Sequence, residues 1–279
     1  MHPRLFTVPA FELFGNQWGP FSLHTYGLLL ACAFLAGLWL AGRQARQAGL
    51  DAGRITDLGV YVLIAGLVGA KLLLVVVDFR NYSLRPTDLL SIFQSGGVFY
   101  GGLLGALPVG FWLTKHYRLP RWQVADVMVP GLILGQAIGR LGCFFAGCCY
   151  GRPAEVPWAV TFSSPYAAQA VGTPVGSALH PSQLYESVAA FVILAVLLWL
   201  APRKRFHGQV AVGYLVLYSS VRFALEFLRG DTGRGTLFDG ALSTSQFIAL
   251  LVLAACALLV PHLLKSQRVP RGATQPAHP

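Results

Sequence analysis

The segment Gly139–Arg152, which reads GRLGCFFAGCCYGR, decides the fold. It ends an apolar stretch that starts near Val124, so it places the guanidinium of Arg140 where hydrocarbon is expected. An ionisable group at that depth costs at least about 2.5–3.5 kcal/mol and persists mainly where it has a partner or a function. The glycines of this segment let a helix or a ligand approach the backbone closely. Together these features indicate a site for an anionic group inside a membrane protein.

The composition predicts a polytopic membrane protein. Of the 279 residues, 55% are hydrophobic and only 11% are charged, whereas soluble domains have about 25% charged residues. We expect an all-α membrane protein in which residues 1–264 form a single domain with seven transmembrane helices. The outward-facing connection at about 147–182 contains five prolines, which predicts irregular structure. Residues 265–279 are predicted to form a polar cytoplasmic tail. The seven apolar stretches, each long enough to cross a bilayer, are residues 21–42, 57–77, 97–114, 124–146, 183–201, 208–228 and 242–264.

The basic residues predict the orientation of these helices. Twelve of the 21 lysines and arginines fall in one set of loops, and six fall in the other set. The positive-inside rule assigns the richer set to the cytoplasm, so we expect the N-terminus outside and the C-terminus in the cytoplasm. Attraction to the anionic cytoplasmic leaflet accounts for the basic excess, and no nucleic-acid partner is expected. The richer set is Arg43, Arg46, Arg54, Lys115, Arg118, Arg121, Arg203, Lys204, Arg205, Lys265, Arg268 and Arg271.

Polar side chains converge at the outer end of the predicted bundle. A site that opens to the outer leaflet needs this arrangement, whereas a channel spreads polar groups through the whole membrane. An ion pair between Arg222 and Glu226 that only stabilises the helix bundle remains an alternative to a functional role. The helical spacing i, i+4, i+7 or i+8, i+11 puts two sets on shared faces: Gln136, Arg140, Cys143 and Gly147, and Tyr218, Arg222, Glu226 and Arg229.

Five motifs resemble those of a known family, the prolipoprotein diacylglyceryl transferases. They occur in the family's order and cover nearly all the predicted spans. The motifs are LHTYG (Leu23–Gly27), GGVFYGGLLG (Gly96–Gly105), GRLGCFFAGCCYGR (Gly139–Arg152), HPSQLYE (His180–Glu186) and YSSVRFALEFLR (Tyr218–Arg229).

The resemblance implies transfer of a diacylglyceryl group from phosphatidylglycerol to the lipobox cysteine thiol of prolipoproteins. This reaction takes place at the outer leaflet of the bacterial cytoplasmic (inner) membrane and needs no cofactor. The partners are phosphatidylglycerol, lipobox peptides and the bilayer. The resemblance implies catalytic roles for Arg140, Arg222, Tyr26, Tyr100 and Glu226. It implies substrate-binding roles for Arg140, Arg222, His24, Lys71, Cys143, Gly147, Gly151, His180, Tyr185 and Tyr218. Arginine forks match phosphate oxygens, so Arg140 and Arg222 are predicted to hold the headgroup phosphate.

This sequence departs from the family pattern at three positions. Tyr100 stands where the family has a histidine, Cys143 where it has an asparagine and Cys148 where it has a glutamate. These departures leave three alternatives open. The first is a non-catalytic or altered-specificity relative that binds anionic phospholipid, the second a membrane transporter or channel, and the third a thiol-redox protein.

The cysteines of this segment have the spacing C-x4-C-C, as Cys143, Cys148 and Cys149. They are candidates for small packing residues, for an outward-facing disulfide or for reactive thiols. A metal site usually uses C-x2-C spacing with further ligands, so the sequence predicts no metal here.

Overall fold

The computed structural model describes residues 4–9, 11–13, 16–18, 21–79, 97–230, 235–237 and 242–267. Residues 268–279, most of the predicted polar tail, lie outside this range. Helices dominate the described residues, in agreement with the predicted fold class. Their bounds are α1 (Thr25–Gln47), α2 (Ala52–Val77), α3 (Phe99–His116), α4 (Arg121–Ala146), α5 (Pro165–Val171), α6 (Ser182–Leu200), α7 (Gln209–Glu226) and α8 (Thr244–Ser266).

Among the described residues, five helical segments are long and apolar enough to cross a membrane. They are Thr25–Gln47, Ala52–Val77, Arg121–Ala146, Ser182–Arg203 and Thr244–Ser266. The fourth segment includes a short 3-10 helix, Ala201–Arg203, that continues α6. Helices α3 and α7 are 18 residues long and are not among these five candidates, so their membrane crossing stays a prediction.

Short antiparallel strand pairs connect or precede the helices. The described residues contain four of these two-stranded sheets, all outside the five candidate spans. The pairs are β1 (Arg4–Val8) with β4 (Phe21–His24), β2 (Phe11–Leu13) with β3 (Asn16–Trp18), β5 (Val160–Thr161) with β6 (Ala178–Leu179), and β7 (Thr236–Leu237) with β8 (Leu242–Ser243).

The structure corrects two details of the prediction. The first helix begins at Thr25 and not at residue 21, because Phe21–His24 pairs with Arg4–Val8 as a strand. The connection at 147–182 is not wholly irregular, since it contains α5 and the pair of β5 and β6. Local signals explain α5: Ser164 caps its N-terminus, Pro165 occupies the first turn, and Gly172 ends it with a φ of 68°.

The described residues fall into two compact units. The first is drawn from residues 1–37 and 129–279, and the second is Leu38–Met128. In the first unit an apolar core joins α4, α6 and α7, which positions the polar residues described below. This core consists of Ile133 and Ala137 from α4, Ala190, Ile193 and Leu197 from α6, and Val210 from α7.

In the second unit, glycines allow α2 and α3 to pack backbone against backbone. A Cβ atom added at Gly105 would lie 2.3 Å from the carbonyl oxygen of Ala65, and one at Gly69 would lie 2.4 Å from that of Gly101. No larger side chain fits at such distances. Small residues at helix interfaces are the usual means of close packing inside membranes.

Candidate functional site

A buried group of charged side chains joins three elements of the first unit. Arg140 of α4 and Glu186 of α6 form an ion pair, with 2.7 Å between Arg140 Nε and Glu186 Oε2. Arg229, just after α7, donates a hydrogen bond of 2.7 Å to Glu186 Oε1. Arg222 of α7 lies 3.7 Å from the same oxygen and pairs with Glu226 at 2.5 Å. We call these five residues the arginine cluster.

The arginine cluster is shielded from solvent and has one surplus positive charge. Three guanidinium groups face two carboxylates, and each of the five residues is a member of an ion pair within 4 Å. The exposed fraction of the side chain is 3% for Arg229 and 12% for Arg222, but 21% for Arg140. Arg140 is therefore the arginine of the cluster that a ligand reaches most readily.

Two members of the cluster were not predicted as site residues. Glu186 belongs to the HPSQLYE motif, but its partner Arg140 lies on another helix, so helical spacing alone could not pair them. Arg229 was placed on one helical face with Arg222 and Glu226, and the structure buries it against Glu186 of another helix. Glu186 is an acidic residue near the start of an apolar helix, where an unpaired charge is costly. This signal could have identified it from the sequence.

Arg140 and Arg222 both contact one carboxylate, which places their guanidinium groups close together. The sequence predicted this proximity because both residues were assigned to the outer half of the membrane. A binding role for the two arginines stays a prediction.

The chain reverses direction directly after α4 and brings three cysteines together. The Sγ atoms of Cys143, Cys148 and Cys149 lie within 4.8 Å of one another, and all three thiols are free and half-buried. Gly147 has a φ of 82°, and Cys149 has a φ of 60°, a value that residues with a Cβ adopt rarely. We call these three thiols the thiol cluster.

Side chains at the start of α6 fix the backbone of the thiol cluster. Ser182 donates a hydrogen bond of 2.7 Å to the carbonyl oxygen of Cys149, and Gln183 donates one of 2.7 Å to that of Cys148. Ser182 and Gln183 are completely buried. The reversal is thus held by the same helix that supplies Glu186 to the arginine cluster.

Hydrogen bonding within the thiol cluster changes the acidity of Cys149. Hydrogen bonds that involve Cys143 and Cys148 lower the pKa of the Cys149 thiol. The positive charges of Arg229 and Arg140 lower this pKa further. Cys149 is therefore the member of the thiol cluster whose pKa is lowered.

The predicted site glycines stand where no side chain would fit. A Cβ atom at Gly147 would lie 3.0 Å from Thr173 Oγ1, and the carbonyl oxygen of Gly147 accepts a hydrogen bond from that hydroxyl. A Cβ atom at Gly151 would lie 2.5 Å from the carbonyl oxygen of His180. Gly151 also forms a β-bridge with Arg229, which ties the loop after α4 to the end of α7.

The two predicted histidines form hydrogen bonds with tyrosine hydroxyls and do not belong to the arginine cluster. His24 Nε2 lies 3.0 Å from the hydroxyl of Tyr166, on which its ring stacks. His180 Nδ1 lies 3.1 Å from the hydroxyl of Tyr185, which also accepts a hydrogen bond from Trp158.

Two predicted tyrosines of the first unit, Tyr26 and Tyr218, lie near Arg140. Tyr26 is partly exposed on α1, and a Cβ atom at Gly142 of α4 would lie 3.2 Å from its ring. Tyr26 and Tyr218 both interact electrostatically with Arg140. Tyr218 stacks on Tyr214, with 5.5 Å between ring centroids. The site thus combines a surplus cation, thiols and phenolic hydroxyls, a set of groups that can bind an anionic headgroup beside a nucleophilic sulfur.

Two predicted site residues belong to the second unit. Lys71 lies in α2 and is partly buried, and Tyr100 lies in the first turn of α3 and is exposed. Their predicted roles in lipid binding and catalysis stay predictions.

Comparisons with known proteins all match this chain to one family. A sequence profile of prolipoprotein diacylglyceryl transferase matches residues 14–261. A phosphatidylglycerol–prolipoprotein diacylglyceryl transferase of Clostridium tetani is 35% identical over 244 residues, which cover 87% of this chain and 92% of the relative. Proteins of the same name from Synechococcus elongatus and Thermosynechococcus vestitus are 34% and 36% identical. These alignments cover 89% and 88% of this chain and 86% and 91% of the relatives. The matches do not favour the transporter, thiol-redox or non-catalytic alternatives.

Proposed function

The chain belongs to the prolipoprotein diacylglyceryl transferase family, and we propose that it transfers a diacylglyceryl group from phosphatidylglycerol to the lipobox cysteine of prolipoproteins. The names of its relatives specify this donor and this class of acceptor. In this reaction the acceptor thiol releases its proton to solvent, and its sulfur forms a bond to a glyceryl carbon. The bond from that carbon to the phosphate oxygen breaks, and its electron pair leaves with glycerol phosphate.

The arginine cluster is the observation that carries this proposal. Its surplus positive charge, in a setting with little solvent, suits the single negative charge of a phosphatidylglycerol headgroup. The cluster's ion pairs with Glu186 hold Arg140 and Arg222 in place before the lipid arrives, so little reorganisation is needed on binding. Arg140, the more exposed of the two, contacts the phosphate and stabilises the charge that develops on the departing oxygen.

The remaining predicted residues have supporting roles in this proposal. Tyr26 and Tyr218 supply hydroxyl groups near Arg140 that hydrogen-bond the headgroup or the leaving phosphate. Glu226 positions Arg222. Gly147 and Gly151 allow the tight backbone reversal beside the site, and the hydrogen-bonded pair of His180 and Tyr185 lies next to Gly151. We also propose that His24, Lys71, Tyr100 and Cys143 contact lipid or peptide.

The decisive experiment measures thioether formation on a lipobox peptide with purified protein in phosphatidylglycerol vesicles. Arg140→Gln should reduce the rate by roughly 10²–10³-fold, the usual loss when one transition-state contact is removed. The fold should survive, because Glu186 keeps both Arg229 and Arg222 as partners. Arg54→Gln is the matched control, since Arg54 forms an exposed pair with Asp51. Absence of thioether product with the wild-type protein would refute the proposal.

We also propose the topology derived from the basic residues: seven spans, with the N-terminus outside and the site at the outer leaflet of the cytoplasmic membrane. Five candidate spans and many exposed apolar side chains, such as Leu104 and Leu258, support insertion in a bilayer. In a variant in which serine replaces the native cysteines, a membrane-impermeant maleimide should label Arg152→Cys in intact cells. Lys115→Cys and Arg203→Cys should react only after permeabilisation. The reverse pattern would invert the topology and move the site to the cytoplasmic leaflet.

A further inference from the structure

Apart from the predicted contact of Cys143 with lipid or peptide, the function proposed above gives the thiol cluster no role. Its three sulfur atoms come from a C-x4-C-C segment that the sequence alone did not suggest as a metal site. All three lie within 4.8 Å of one another. In a tetrahedral zinc site, metal–sulfur bonds of about 2.3 Å place the sulfur atoms about 3.8 Å apart. Small side-chain rotations therefore bring the three sulfurs to the separation that one metal ion requires.

The backbone itself holds the thiols in this arrangement. Cys143 is in the last turn of α4, and the left-handed residues Gly147 and Cys149 fold the chain back onto it. Hydrogen bonds from Ser182 and Gln183 fix the reversal. Strained backbone conformations of residues with a Cβ concentrate at functional sites. The positive φ of Cys149 is thus a second observation, independent of the sulfur distances.

A metal ion accounts for the cluster better than a disulfide or simple packing does. A disulfide joins only two of the three sulfurs, and it leaves the third thiol without a function. Packing alone does not require three thiols to be half-buried beside cationic side chains. Three thiolates around a divalent cation have one net negative charge. Arg140 and Arg229 interact electrostatically with Cys149, and these positive charges favour an anionic metal centre beside them.

We propose that Cys143, Cys148 and Cys149 bind one thiophilic divalent cation of the zinc class, and that the acceptor cysteine of the lipobox is its fourth ligand. Within the described residues, the candidate group of metal ligands contains only these three side chains. A zinc site with three protein ligands keeps its fourth position for water or substrate. The claim that the lipobox cysteine is the fourth ligand rests on the proposed function. The claim that the three cysteines bind a metal ion does not.

The chemistry of the fourth ligand fits the reaction. A thiol that coordinates zinc gives up its proton to solvent and becomes a thiolate at neutral pH. The bound sulfur then forms its bond to the glyceryl carbon, and the carbon–oxygen bond breaks with its electron pair on glycerol phosphate. The thioether leaves the metal, which keeps its oxidation state throughout. Cys143 and Cys148, which replace an amide and a carboxylate of the family pattern, would thus activate the thiol in a different way.

The test uses the full-length protein, reduced and metal-free in detergent, with Co²⁺ as the spectroscopic probe. We expect one Co²⁺ per chain and a thiolate-to-cobalt charge-transfer band. Serine substitution of any thiol in the cluster should weaken binding at least about tenfold, since even the loss of a group that only hydrogen-bonds a metal ligand costs about 10–100-fold in affinity. Cys32→Ser is the matched control, because Cys32 lies on α1 outside the group. An absent band in the wild-type protein, or equal binding by all variants, would overturn the proposal.

Two further measurements separate the parts of the inference. Alkylation of the wild-type protein needs no variant: bound Co²⁺ should protect three thiols, and unchanged labelling would count against the site. A lipobox peptide should shift the cobalt bands, whereas the same peptide with serine for cysteine should not. Cobalt binding without this shift refutes the fourth-ligand step alone. Cobalt binding with the shift, but without thioether product from phosphatidylglycerol, refutes the proposed function and leaves the metal site standing.

Discussion

Glu186→Gln is the substitution that tests most directly how the arginine cluster is held together. The Glu186 side chain is only 6% exposed and pairs with Arg140 and Arg229, each at 2.7 Å. The glutamine keeps the shape but removes the charge that faces these guanidinium groups. Removing one partner from a buried ion pair costs about 3–5 kcal/mol. We therefore expect the free energy of unfolding to fall by about that amount.

The same substitution should affect lipid binding in the opposite direction. With Glu186 neutral, the cluster has two surplus positive charges where the wild-type protein has one. Binding of vesicles that contain phosphatidylglycerol should therefore be retained or strengthened. Turnover should fall, because Arg140 loses the partner that orients it before the reaction. Loss of stability and turnover without loss of anionic-lipid binding is the expected combination.

The assay is unfolding by sodium dodecyl sulfate in mixed micelles, combined with vesicle co-sedimentation. Glu155→Gln is the matched control, because Glu155 is exposed in the loop after α4. A surface change of this kind is usually within about 0.5 kcal/mol of wild type. If Glu186→Gln and Glu155→Gln unfold at the same free energy, Glu186 does not hold the arginines, and the argument for a preorganised phosphate site fails.

Two further substitutions test the backbone reversal and the second unit. Gly151→Ala should destabilise the protein by about 1–3 kcal/mol, because its Cβ would lie 2.5 Å from the carbonyl oxygen of His180. Gly27→Ala, which has open space around it, should be close to neutral in the same unfolding assay. Tyr100→Phe should abolish thioether formation if the phenol replaces the histidine of the family pattern. Full activity of Tyr100→Phe would remove Tyr100 from the catalytic residues.

The sequence located the helices well but not their ends, because hydropathy reports the apolar part of a helix and not its caps. The second apolar stretch was predicted to begin at residue 57, whereas α2 begins at Ala52. The side chain of Asp51 accepts hydrogen bonds from the backbone N–H groups of Gly53 and Arg54, which fixes this earlier start. The first helix likewise continues through polar residues to Gln47.

Three members of the arginine cluster, Arg140, Arg222 and Glu226, were named as site residues from the sequence, but their organisation was not predicted. Helical spacing correctly paired Arg222 with Glu226, because both lie on one helix. Spacing could not pair Arg140 with Glu186, or bring Cys143 next to Cys149, because these contacts depend on helix packing and on a left-handed turn. Contacts between distant segments are therefore where the structure adds most to the sequence.

Cys143→Asn tests whether the thiol cluster is a metal site or only a set of small residues. This substitution restores the amide of the family pattern at that position. If Cys143 merely occupies the place of the amide, the better hydrogen-bonding group should keep or raise turnover. Because we propose Cys143 as a metal ligand, we expect instead that Cys143→Asn weakens cobalt binding at least about tenfold and lowers turnover with it. Turnover that is kept or raised while cobalt binding is lost would show that the metal plays no part in the transfer.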